Sequence, residues 1–209
     1  MKRFLQLLGL CVSLTSFNLL AYGPFDYTNP IHFKDKLPVV EQYHFNSNVE
    51  SLLKGMTSST PLGDLEYVVR AFPNHHRALN ALARYWLKFE THGKMPPGAN
   101  REKSADYWFN RAISFVPQDG VVKLLYAIYN HGLKKNTKAL ELYKAAETQI
   151  PPNQSAELHY NLGLLYVDLK EYELARDRAE KAYAMGHPLP GLRNKLLRLG
   201  IWNTSHKGQ

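Results

Sequence analysis

Cysteine is almost missing from this chain: Cys11 is the only one, and it lies inside an apolar amino-terminal stretch. No disulfide can staple the fold, so burial of apolar surface has to hold it. Several chemical signatures are absent as well. There is no GxSxG elbow, no phosphate loop, no HExxH and no pair of closely spaced cysteines, which leaves common nucleophilic, nucleotide and zinc sites without their usual residues. No cofactor and no metal are expected. Acidic residues are in deficit, 18 against 26 Lys and Arg, yet the basic residues are scattered rather than run together. That pattern argues against nucleic acid and fits attraction to an acidic protein, a wall polymer or a membrane surface.

An apolar run of the ~20 residues that span a bilayer is also missing. The first 21 residues read instead as a secretory leader. Lys2 and Arg3 form a basic start, Phe4 to Leu14 is nearly continuous apolar sequence, and Leu19-Leu20-Ala21 offers a cleavage site. Leu19 is a poorer residue than Ala or Val three positions before a cut, which leaves the exact cleavage position open, and a retained anchor is the competing reading. Cys11 follows Leu10 rather than a small residue, unlike a lipid-modified cysteine. Without Lys2 and Arg3 the charge falls to 24 basic against 18 acidic, a surplus of six. The expected site of action is the periplasm or cell exterior, with membrane contact only through an uncleaved leader.

What the chain does have is a period. Ala105, Phe109, Ala112 and Pro117 recur 34 positions later as Ala139, Tyr143, Ala146 and Pro151. A weaker third copy is Ala175, Ala179, Ala182 and Pro188. Small residues let helices approach, the aromatic fills the space between units, and proline ends the helix. Residues 75–188 resemble the tetratricopeptide repeat family in this pattern, and Leu162, Gly163 and Tyr166 match its first-helix positions. The usual tryptophan at the fourth position is absent, the second pair is interrupted, and Ala179 replaces an aromatic. GPFDYTNP, DLEYVVRAFPNHHRAL and GHPLPGLRNKLLRLGIW also resemble a group of exported proteobacterial repeat proteins, a likeness that implies no activity.

The expected fold is therefore all-α: a tetratricopeptide-like helical-hairpin solenoid with an extended amino-terminal arm and a carboxy-terminal capping helix. Residues 22–47, rich in Tyr, Phe, Pro, Asn and His, read as that arm, packed through Phe25, Tyr27, Phe33 and Phe45. Helical pairs are expected at about 48–73, 74–117, 120–151 and 155–187. Asn48 is a candidate N-cap for VESLLKGM, and Leu62, Leu65, Val69 and Phe72 share a face of the next helix. A cap helix is expected at 190–200, with Leu192, Leu196 and Leu199 inward and Arg193, Lys195 and Arg198 outward. Residues 203–209 read as a flexible tail. Between the helices of the second pair, THGKMPPGANR is an insertion of about ten residues dense in Gly and Pro, and so a protruding loop.

The functional candidates follow from faces. Arg77, Asn80, Arg84 and Lys88 are spaced by three, four and four, so they line one side of a helix whose Leu79, Leu82 and Trp86 face inward. Guanidinium groups suit bidentate carboxylate recognition. Resemblance to peptide-binding repeat proteins implies that such a stripe clamps a carboxylate and a peptide backbone. Lys123, Asn130, Tyr160 and Asn161 are candidates to continue that groove. His75-His76 point about 100° apart on a helix, unlike an i, i+4 metal pair, and suit a helix start or interhelix bond better. The expected function is a non-enzymatic exported scaffold that binds another envelope protein or an acidic or carboxy-terminal peptide. The alternative is a glycan-binding protein or an accessory to a glycan-acting enzyme, using the Tyr-rich arm and the insertion.

Overall fold

The computed structural model describes residues 23–202, and among them every regular element is helical. The α-helices are α1 Pro30–Asp35, α2 Leu37–His44, α3 Ser47–Glu50, α4 Pro61–Ala71, α5 His76–Glu90, α6 Ala105–Phe115, α7 Gly120–Gly132, α8 Asn136–Glu147, α9 Ala156–Asp168, α10 Tyr172–Ala184 and α11 Gly191–Arg198. Short 3-10 turns occupy Arg101–Lys103 and Pro152–Gln154. Among the described residues no helix is long and apolar enough to cross a membrane. The leader and the tail 203–209 lie outside the described residues.

The periodic residues sit where helices meet. Ala105, Phe109, Ala112, Ala139, Tyr143, Ala146, Ala175, Ala179 and Ala182 are all fully buried. α7 packs along α8, α9 along α10, and α5 against α4, α6 and α7. The Phe109 ring of α6 stacks on Tyr126 of α7 at 4.7 Å, joining one pair to the next. Two clusters make the core: one from Leu37 to Tyr129, the other from Leu124 to Leu196, with Leu142 packed against both.

A common device ends the first helix of each pair. Leu52, Gly93, Lys134 and Lys170 all have φ between 62° and 65°, the left-handed conformation of a helix C′ residue. The N–H groups of Leu53, Lys94, Lys135 and Glu171 then reach back to the carbonyls of Asn48, Phe89, Asn130 and Tyr166. Only one of the four is glycine, so three side chains carry the cost of that conformation for the sake of the paired carbonyls.

Residues 23–47 depart from the extended arm expected for them, because α1 and α2 fill most of that stretch. Pro30 and Pro38 stand in the first turns of these helices, where a missing N–H costs nothing. Asn29 caps α1 by accepting from the N–H groups of Ile31 and His32. Leu37 and Val40, three apart on α2, face the core with Phe45. Val39 and Val40 are helical here because Leu37 and Val40 are spaced for one helix face.

The first pair also differs. VESLLKGM does not form a helix capped by Asn48: α3 is a single turn capped by Asn46, and it ends at the left-handed Leu52. The loop from Leu53 to Thr60 is held by Asp64, which is fully buried. Its carboxylate accepts the N–H groups of Met56 at 2.7 Å and of Thr57 and Ser58 at 3.2 Å, besides both hydroxyls. Burial alone would raise the Asp64 pKa, but hydrogen bonds from Thr57, Ser58, His44 and Met56 outweigh it and hold it far below the usual carboxylate range.

At the other end, Leu192 and Leu196 are fully buried as expected, whereas Leu199 is 44% exposed at the C-cap of α11. A Cβ built on Gly163 would lie 2.5 Å from Leu192 Cδ2 and 3.4 Å from the Ala175 carbonyl. The glycine of α9 therefore makes room chiefly for the cap helix and only secondarily for its paired helix.

Candidate functional site

α5 begins with a histidine cap. His75 Nδ1 accepts the Ala78 N–H at 3.1 Å, so its proton is on Nε2, which donates to Glu41 of α2 at 3.0 Å. Burial lowers the His75 pKa, and Glu41 only partly restores it. His76 Nε2 meets Asp119 at 2.8 Å, and Asn74 donates to both Asp119 and Asp26. The two histidines thus tie the α4–α5 turn to different neighbours, one amino-terminal and one at the start of α7.

From that anchored start, one face of α5 carries Arg77, Asn80, Arg84 and Lys88. Arg77 lies over the Phe45 ring at 5.0 Å and grips both carboxylate oxygens of Glu50, with Nε to Oε1 at 2.9 Å. Its third nitrogen reaches Glu41 at 3.4 Å. Two turns along, Arg84 donates to the Glu50 backbone carbonyl at 2.6 Å. Arg77 lowers the Glu50 pKa, and Glu50 in turn raises that of Arg77. Asn80 and Lys88 remain exposed on the same face, with Lys88 Nζ 5.9 Å from the Phe89 ring centre.

The other groove candidates are buried or already engaged. Asn130 is fully buried and donates to the Tyr126 carbonyl one turn earlier. Tyr160 is also buried, its ring stacked at 4.0 Å on His187. Asn161 donates to the Glu157 carbonyl and carboxylate on its own helix. Lys123 closes a turn, donating to the Pro117 carbonyl and to Gln149, each at 2.6 Å. Burial lowers its pKa. The structure lines up the α5 stripe, buries Asn130 and Tyr160, and ties Lys123 and Asn161 to partners beside them.

Glu50 and Glu41 complete the site, and nothing in the sequence marks them. Glu50 stands 27 positions before Arg77, in a stretch whose period suggests only another helical turn. One further constellation has the residue types of nucleophile activation. Thr57 Oγ1 and Asp64 Oδ1 both approach His44 Nδ1, each at 3.0 Å, while the Thr57 hydroxyl donates to Asp64. The imidazole does not stand between carboxylate and hydroxyl, so it cannot pass a proton along as a triad does.

No family model, curated protein or solved structure matches the chain.

Proposed function

We propose that the chain is an exported, non-enzymatic scaffold of tetratricopeptide-like pairs, and that the α5 face binds an acidic segment of another envelope protein. One observation carries this reading. The face already holds a carboxylate and a backbone carbonyl of the chain's own α3, with Arg77 on the Glu50 carboxylate and Arg84 on its carbonyl. The same pair of contacts recognises an acidic peptide, and charge-assisted bidentate bonds are the strong kind. α3 covers one end of the stripe. Asn80 and Lys88 extend from it into solvent and offer an amide and a cation to a segment laid beside α3.

The test is capture from envelope extract with the full chain as bait, followed by titration of the captured partner. Asn80→Asp with Lys88→Glu removes the open half of the stripe and leaves the Glu50 clamp intact. Affinity should fall roughly tenfold or more, within the range for an interfacial charge, and added salt should weaken wild-type binding. Unchanged affinity in the double variant moves binding off this face.

A further inference from the structure

The four left-handed residues that end the first helices, Leu52, Gly93, Lys134 and Lys170, mark the same corner of successive pairs. Each corner carries a lysine: Lys54, Lys94, Lys134 and Lys170. In the third and fourth pairs the corner is a tight turn, and Lys134 is already held by Asp168 at 2.9 Å. In the first and second it opens into long loops, which come close to each other at Gly98 and Thr60. A Cβ on Gly98 would stand 3.8 Å from Thr60 Oγ1.

The two loops share an unusual composition. Neither 51–63 nor 91–101 contains an acidic residue. Of the carboxylates that flank them, Glu50 is occupied by Arg77, Asp64 by the N–H groups of its own loop and Glu90 by the Tyr129 hydroxyl, while exposed Glu102 stands between Arg101 and Lys103. Large apolar side chains point to solvent between the lysines: Leu53 is 75% exposed, Met56 43% and Met95 38%. They are held out rather than loose. The left-handed Leu52 packs against the core and turns Leu53 away from it. Asp64 fixes the backbone at Met56, while Pro96 is buried and Ala99 packs against the core beside Met95.

We propose that this loop edge docks the folded domain on an anionic lipid surface, with Leu53, Met56 and Met95 entering the headgroup layer and Lys54 and Lys94 meeting the lipid charge. Protruding apolar tips ringed by ammonium groups match a flat, negatively charged interface, whereas a peptide ligand requires a concavity or a bidentate donor. Apolar insertion alone gives only marginal attachment, and basic charge beside it supplies the second signal that a stable one takes. This contact belongs to the folded part of the chain and is separate from any held by the leader.

The experiment uses the full chain with Cys11→Ser and one new cysteine at Leu53, Met95 or Leu189, labelled with an environment-sensitive fluorophore. Leu189 is an exposed control beyond α10, at the far end of a pair from the loop edge. The probes are vesicles of phosphatidylcholine alone, vesicles that also contain phosphatidylglycerol, and polyglutamate. Labels at 53 and 95 should shift to the blue on the anionic vesicles, lose the shift in high salt, and show none on neutral ones. The label at 189 should not move. Lys54→Glu with Lys94→Glu should weaken partitioning by roughly tenfold or more, each lysine near such a surface being worth about fivefold. Because the signal is local, a chain anchored by its leader still reports whether the loops touch lipid. Silent labels at 53 and 95, an equal shift at 189, or a response to polyglutamate but not to vesicles would each overturn the proposal.

Discussion

Replacing Asp64 by Asn tests whether one buried carboxylate organises the first pair. The substitution keeps the volume but presents one oxygen and an NH2 group to donors that all point inward: the N–H groups of Met56, Thr57 and Ser58 and the hydroxyls of Thr57 and Ser58. Hydrogen bonds to a charged group contribute roughly 1.5–3 kcal/mol each, and stranded donors add their desolvation cost. Some donors will turn to water once the loop opens, so a net loss of about 3 kcal/mol is expected, at the low end for breaking a buried charged network. In a domain of this size that lowers the melting temperature by roughly 6–12 °C.

The pH dependence gives an independent reading. The folded Asp64 pKa is depressed below 3.8, so its contribution is complete above the unfolded value and disappears as pH falls below it. Wild type should therefore lose more stability between neutral pH and about pH 3 than Asp64→Asn does. Thermal melts across that range, with amide exchange at Met56, Thr57 and Ser58, make the measurement. Equal melting points at neutral pH, or equal losses in acid, would refute the role assigned to this carboxylate.

His75→Asn keeps a capping acceptor for Ala78 and removes the imidazole. Because burial depresses the His75 pKa, wild-type stability is full above about pH 6.5 and falls below it, so denaturant midpoints at pH 7 and pH 5 should differ less in the variant. Gly163→Ala gains roughly 1 kcal/mol of helix propensity but forces Leu192 to move, a clash of about 1–3 kcal/mol. Chemical denaturation should show a modest net loss that Leu192→Ala makes disappear, and additive effects would count against the contact. The Tyr143 hydroxyl is buried without a hydrogen-bond partner among the described residues, and burial pushes its pKa well up. Tyr143→Phe should then be neutral or stabilising by up to about 1 kcal/mol, and a loss of 2 kcal/mol in a melt would mean that the hydroxyl has a partner.

Much of the helical layout can be read from local sequence. The Ala–aromatic–Ala spacing places α6 and α8, its all-alanine copy places α10, and prolines locate several ends. Leu192 and Leu196 announce the buried side of α11 in the same way. These succeed because a helix face depends on residues three and four apart. α1 and α2 are not legible in this way, since the prolines that open them resemble loop punctuation and only the fold turns Leu37, Val40 and Phe45 toward one core. In the candidate site the sequence marks Arg77, Asn80, Arg84 and Lys88 as one stripe, but it carries no sign that Glu50 lies across two of them.

By itself, then, the sequence determined what each short segment prefers: which residues share a helical face, where prolines and caps end it, and which small residues allow close approach. Tertiary structure decided what covers each face. It put the Glu50 carboxylate on Arg77, buried Asn130 and Tyr160, and turned Lys123 into a clasp for the turn before α7. The physical reason is range. Helical period and capping act over a few residues, while the partner of an exposed cation is chosen by segments that only folding brings together.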